Sequence, residues 1–240
     1  MNEPRVETGT NNGLRIQLLG EFAVTYGDRR IPAEQWKSRR ASRLVKLLAL
    51  TPGHRLHRDQ VIDTLWPESE LAAAGNNFHQ TLHGARRVLD PLAPGCLRLE
   101  DGFLSLQGGI LPEGEEQALG VDVEQFEAAV RVAEAAASAA VKNCQDPEVY
   151  QDALSIYRGE LLPEDRYEEF TLARRESVRK LYVNLLLDLA NLYEARGEYP
   201  QGIEALLRLL QADRSHEGAH TELMRLYAFN GQRQQALRQF

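Results

Sequence analysis

Apolar and polar positions alternate at the start of the chain. Leu14, Ile16 and Leu18 fall on one face, Gly20 interrupts, and Phe22 and Val24 resume. That pattern predicts strand, turn, strand. Gly27-Asp28 marks a second turn, and Arg29-Arg30-Ile31 a short returning strand that Pro32 stops. The period then changes to that of a helix. A first helix is expected from roughly Lys37 to Leu50, with Ala41, Leu44, Leu47 and Leu48 inward and Thr51-Pro52-Gly53 ending it. A second runs about Arg58 to Leu65, with Val61, Ile62 and Leu65 inward and Trp66-Pro67 closing it. A third starts near Ser69 or a few residues later and runs to Asp90. Phe78, Leu82, Ala85 and Leu89 form its apolar stripe, and Pro91 ends it. Two alternating runs follow, Leu97–Glu100 and Phe103–Leu106, joined by Asp101-Gly102, the strongest short-range hairpin signal.

The second half has almost no strand signal. Val123 to Val141 reads as an Ala-rich helix, Pro147 to Leu162 as a second, and Glu168 to Arg196 as a long third. From there the chain matches itself at a period of 34. Leu189, Leu192, Tyr193 and Gly197 recur as Leu223, Leu226, Tyr227 and Gly231; Gly202, Ile203 and Leu206 recur as Ala236, Leu237 and Phe240. Small and large residues in register at that period are the mark of tetratricopeptide repeats. The last helix stops at Phe240 with no partner after it, which reads as a repeat array cut short.

The expected fold is mainly α: an N-terminal winged helix-turn-helix (α+β), then an all-α tetratricopeptide-like repeat domain. The expected divisions are a disordered polar lead over 1–13, the winged helix over 14–109, and a Gly-, Pro- and Glu-rich linker over 110–121. The repeat domain takes 122–240.

Charge sharpens this picture. The 240 residues carry a net charge of −7, which taken alone argues against nucleic acid. Yet residues 29–90 hold 11 Lys and Arg against 6 Asp and Glu, while residues 111–240 hold 14 against 23. The first half therefore offers a basic working surface and the second half does not. No apolar run approaches the ~18 residues of a membrane helix, and the polar start has no signal-peptide core. Cys96 and Cys144 have no metal-type spacing. A reduced, cytoplasmic location fits.

In helix-turn-helix proteins the recognition helix enters the major groove; here that is the third helix. At 100° per residue, Asn76, Gln80, His83 and Arg87 line up opposite the apolar stripe. Asn and Gln suit adenine, and Arg suits guanine. Asn77, His79 and Arg86 flank this face. From Asn76 to Val88 there is no acidic residue at all, as a phosphate-facing surface requires. Lys37, Arg39, Arg40, Arg43 and Lys46 around the first helix, and Arg98 in the hairpin, are candidates for backbone contacts that position without specifying. An exposed helix face is polar in any soluble protein. The absence of acids is what separates the two readings.

Other chemistry is thin. His216-Glu217-Gly218-Ala219-His220 formally matches a zinc-protease helix. Catalytic zinc needs a third protein ligand, and the repeat register demands a helix start there. His79 and His83 are four apart, but Gln80 stands where a Glu would be. His54 and His57 are expected in a loop, pointing to solvent. No catalytic residue, metal or cofactor is assigned, and no enzyme is expected. The other reading, a protein-interaction scaffold built on the repeats without specific DNA binding, stands against the acid-free face.

Several stretches resemble one family. LRIQLLGEFAV, WKSRRASRLVKLLAL, LHRDQVIDTLWPE, NNFHQTLHGARRVLD, VDVEQFEAAV, ALSIYRGELLPE and LMRLYAFNGQRQQALRQF occur in order and span about residues 14–240. Together they resemble the Streptomyces antibiotic regulatory protein type of activator. That type joins a response-regulator-type winged helix to a bacterial transcriptional activator domain. The resemblance implies homodimers on direct repeats of double-stranded DNA near promoters, and contact with RNA polymerase. It implies no receiver domain and no phosphorylation site.

Overall fold

A computed structural model describes residues 13–110, 117–139 and 146–239. Residues 1–12 of the polar lead, half of the expected linker, Cys144 and the repeat match at Phe240 lie outside these residues. The chain divides into two compact units. One runs through Asp122 and includes Glu164–Thr171; the other comprises Val123–Pro163 and Leu172–Phe240.

The first unit opens with strands β1 (Leu14–Gln17), β2 (Ala23–Tyr26) and β3 (Arg29–Pro32), paired antiparallel in sequence order. Ile16 faces Val24 across the ladder, and both are buried. Where a linker was expected, Leu119–Val121 instead forms a strand, parallel to β1. Its apolar Val121 is 1% exposed. The following Asp122 carboxylate accepts hydrogen bonds from the backbone N–H groups of Leu18 (2.9 and 3.0 Å) and Leu19 (2.9 Å). A Gly- and Pro-rich composition hides such a segment, because its partner lies over 100 residues away.

Helix α1 (Arg39–Leu50) begins two residues later than the pattern indicated. Ser38 caps it, its hydroxyl accepting from the Ala41 N–H at 3.3 Å. A short strand, Arg55–His57, precedes helix α2 (Arg58–Leu65); the expected loop is not there. His57 is half-buried and caps α2 in a reciprocal box with Gln60. Helix α3 (Leu71–Leu89) follows. The hairpin Leu97–Glu100 and Phe103–Leu106 then pairs with Arg55–His57 in a three-stranded sheet. In chain order these three strands are β4 (Arg55–His57), β5 (Leu97–Glu100) and β6 (Phe103–Leu106), and Leu119–Val121 is β7. Strands, three helices and a hairpin make a winged helix-turn-helix, as the pattern predicted.

The second unit is helical: α4 (Asp122–Ala139), α5 (Pro147–Ile156), α6 (Glu169–Ala195), α7 (Tyr199–Ala212), α8 (Glu217–Phe229) and α9 (Arg233–Gln239). Helix α5 ends six residues before the expected Leu162, because Gly159 takes φ 153° and Leu162 φ 43°. Arg175 holds that turn, donating to the carbonyls of Leu161 (2.9 Å) and Leu162 (3.0 Å). Phe126, Tyr157 and Tyr182 form an aromatic stack in its core. Part of the repeat register is seen in the burial: Leu189 and Leu223 are buried alike, as are Leu192 and Leu226, whereas Ile203 is buried and its counterpart Leu237 is 70% exposed. Gly202 lies at a close approach between helices. A Cβ there would lie 2.8 Å from Leu226 Cδ1 and 3.5 Å from Tyr193 Cβ. Among the described residues no helix is long and apolar enough to cross a membrane.

Two predictions follow from local physics. Asp101 and Gly102 take φ 50° and 80°, the pair of positive angles a two-residue hairpin turn requires. A Cβ on Gly102 would also lie 2.9 Å from His57 Nε2. Gly102→Ala therefore costs about 1–2 kcal/mol, measured by denaturant unfolding; an unchanged midpoint contradicts the turn geometry. In the second unit, burial and then Glu134 push the Asp188 carboxyl above its ordinary value. A raised carboxyl favours the protonated folded state, so its ionisation costs stability as pH rises through the carboxylate range. Asp188→Asn should raise Tm at pH 7 and lose that gain at pH 3.

Candidate nucleic-acid interface

The site is built on α3. Its inward face is sealed: Ala74, Phe78, Ala85 and Leu89 have no exposure, and Leu82 has 4%. Gly84 brings α3 close to α1, since a Cβ there would lie 3.6 Å from Ala41 Cβ. With one face fixed this tightly, helical geometry sets what the other presents. Asn76, His79, Gln80, His83 and Arg87 are exposed, and Asn77 is half-buried. The helix-turn-helix turn spans Trp66–Glu70, with Trp66 buried beneath it.

Arg86 has a different role from the flanking contact expected of it. Its guanidinium donates from Nε (3.1 Å) and Nη2 (2.9 Å) to the Leu97 carbonyl. It therefore ties the C-terminal end of α3 to the first wing strand. Sequence periodicity places Arg86 beside the reading face but gives no sign of a backbone acceptor eleven residues on.

The wing sheet has two chemically distinct faces. Leu56, Leu104 and Leu99 lie in one cross-strand row. On the other side, Arg55 and Arg98 both pair with Ser105, and His57 and Glu100 both pair with Phe103. Arg55 lies over the Phe103 ring at 4.3 Å from its centroid, and His57 meets that ring edge-on at 5.1 Å. Sequence reading found Arg98 but missed Arg55, because β4 is only three residues long.

Around α1 the expected basic cluster splits. Lys37, Arg39 and Arg40 are exposed. Arg43 instead forms an ion pair with Glu168, and Lys46 lies 2.5 Å from Asp165 with its side chain 4% exposed. Both pair with Glu164–Thr171, Lys46 enclosed and the Arg43 side chain still 31% exposed. An amphipathic helix cannot present every basic side chain outward while burying Leu44, Val45, Leu47 and Leu48.

His216 caps α8, its Nδ1 accepting from the Ala219 N–H at 3.0 Å, and His220 Nε2 lies 2.9 Å from the Arg214 carbonyl. Among the described residues no group of three or more His, Cys, Asp or Glu is placed to hold a metal ion. Cys96 is buried, and desolvation pushes its thiol up to about 12. A thiol so held is unreactive at neutral pH.

The first unit is a winged helix-turn-helix, and the same chain continues into tetratricopeptide-type helical hairpins. The model of the bacterial transcriptional activator domain matches residues 121–240, and the chain belongs to that family. The resemblance to activators of the Streptomyces antibiotic regulatory protein type is thereby borne out. Among solved structures, Mycobacterium tuberculosis EmbR in complex with a low affinity phosphopeptide aligns at TM-score 0.72 and 20% identity. The alignment covers 94% of this chain and 57% of that one, and it shows a shared fold. No curated protein matches the chain.

The HEGAH stretch yields a prediction. His216→Ala removes a helix cap and costs about 1 kcal/mol, while His216→Asn, which keeps a capping acceptor, costs less. Elemental analysis of the purified chain should find no stoichiometric zinc. One zinc per chain, lost in both His216→Ala and His220→Ala, would refute the capping role.

Proposed function

We propose that this protein is a sequence-specific transcriptional activator that reads duplex DNA with the exposed face of α3. The observation that carries this reading is the α3 face itself. Asn76, His79, Gln80, His83 and Arg87 are exposed on a helix whose nineteen residues include no Asp or Glu. A face that must approach phosphates gains from excluding acids, and these donors and acceptors match base edges. Gln80 and Arg87 read bases. Arg39, Arg40 and Lys37 contact phosphates and set the register. Arg55 and Arg98, on the same face of the wing as Glu100, supply two further cations for phosphate contacts.

Family membership supports the rest of the reading. The protein acts in the cytoplasm as a homodimer, at least on DNA. It binds direct repeats near promoters and contacts RNA polymerase. The second half, which carries the excess of acid, serves protein partners rather than the duplex, because like charges repel it. Tetratricopeptide stacks offer concave surfaces suited to such partners.

Selection of sites from random DNA tests the assignment of readers. Arg87→Ala should cost about 1–3 kcal/mol on the best site and relax one base position. Arg40→Ala should weaken all sequences alike. Equal loss on every sequence for Arg87→Ala refutes its role as a reader. Inserting ~5 base pairs, half a helical turn, between two selected half-sites should abolish the gain from the pair; unaltered binding would contradict side-by-side recognition.

A further inference from the structure

We propose that residues Glu164–Thr171, although they lie within the stretch matched by the activator-domain family, form a strap that holds α1, and through it α3, in the DNA-reading position. The proposal rests on the DNA-reading assignment above and adds Asp165 and Glu168 to it as positioning residues. Neither touches DNA.

The strap carries Glu164, Asp165, Glu168 and Glu169 and lies against the basic helix of a DNA-binding unit. If the acids acted only through their charge, they would weaken DNA binding. Their contacts point to a different role. Lys46 is 4% exposed, its Nζ sits 4.6 Å from the centre of the Phe22 ring, and Asp165 Oδ2 lies 2.5 Å away. A lysine so enclosed cannot reach a phosphate. Without Asp165 it would be a buried charge left uncompensated, which is strongly destabilising. Arg43, one turn earlier on the same helix face, pairs with Glu168. Thr171 is fully buried, and its hydroxyl donates to the carbonyls of Glu168 (2.8 Å) and Asp165 (3.2 Å), folding the strap back on itself.

The ion pairs, rather than dense packing, hold this contact. A cleft of about 240 Å³ remains between the strap and Trp36, Arg39 and Arg43. Trp36 Nε1 and Arg43 Nε are buried there without a hydrogen-bond partner. Loss of one ion pair thus has little else to compensate it. The route from α1 to the reading face is short, because Ala41 packs directly at Gly84 of α3.

Binding of the full chain to a site selected with the wild type tests the strap, with Kd counted per folded molecule by stoichiometric titration. Asp165→Asn removes a negative charge near the basic surface, yet it should weaken binding about tenfold. The slope of log K against log salt should stay unchanged, because no phosphate contact is lost. Glu168→Gln, at a more exposed pair, should shift Kd the same way by less. Lys46→Met with Asp165→Leu, an apolar replacement of the pair, should restore wild-type affinity. Hydrogen exchange without DNA provides a second readout. Amides of α3 should exchange faster in Asp165→Asn and return to wild-type rates in the double variant. Unchanged affinity per folded molecule overturns the proposal, leaving a merely structural strap. Tighter binding overturns it in favour of a phosphate mimic that DNA displaces. Unchanged α3 exchange overturns it as well. If the wild type binds no duplex, the DNA-reading assignment fails, and the exchange measurement still decides the strap.

Discussion

The burial of one face of α3 against α1 is the constraint on which the winged-helix unit depends. Phe78, Leu82, Ala85 and Leu89 fix the rotation of α3 about its axis, and Gly84 fixes its distance from Ala41. Once those are set, 3.6 residues per turn decides that Asn76, Gln80, His83 and Arg87 share the opposite line. What α3 exposes is a by-product of core packing. Any shift in the stripe would turn the whole row of donors and acceptors away together.

Around that helix the structure spends its polar side chains on holding rather than reading. Arg86 fastens the helix to the wing through a backbone carbonyl. Asp122 fastens the end of β1 through two backbone N–H groups. Lys46 and Arg43 fasten α1 to Glu164–Thr171. Arg86, Asp122, Lys46 and Arg43 are thus committed to geometry. This leaves Lys37, Arg39, Arg40 and Arg87 as exposed cations of α3 and the α1 region.

How much of this the sequence discloses depends on the range of each interaction. The stripe of α3 and the Asp-Gly hairpin are local, with periods of 3.6 and 2, and both are visible in the sequence. The 34-residue repeat is visible because Leu, Tyr and Gly recur together; it also explains why His216 and His220 fall at the start of a helix. What stays hidden is non-local. Strand β7 pairs with β1 across more than a hundred residues, and a Gly-rich composition reads as linker. Lys46 and Arg43 find their partners 119 and 125 residues away, so both look like free cations on a basic helix. Strand β4 has one inward residue, Leu56, too little for an alternation to register. The exposed polar face of α3 is legible from side-chain type and period, whereas the supports behind it require coordinates.

In the proposed function an acid-free helix face binds duplex DNA in a chain that is acidic overall. Its most direct test is a titration of the full chain against duplex DNA across a range of salt concentrations. The account predicts a linear fall of log K with log salt, with a slope near −0.9 for each phosphate neutralised and several phosphates engaged. Binding that does not respond to salt, or no binding to duplex at low salt, would contradict it.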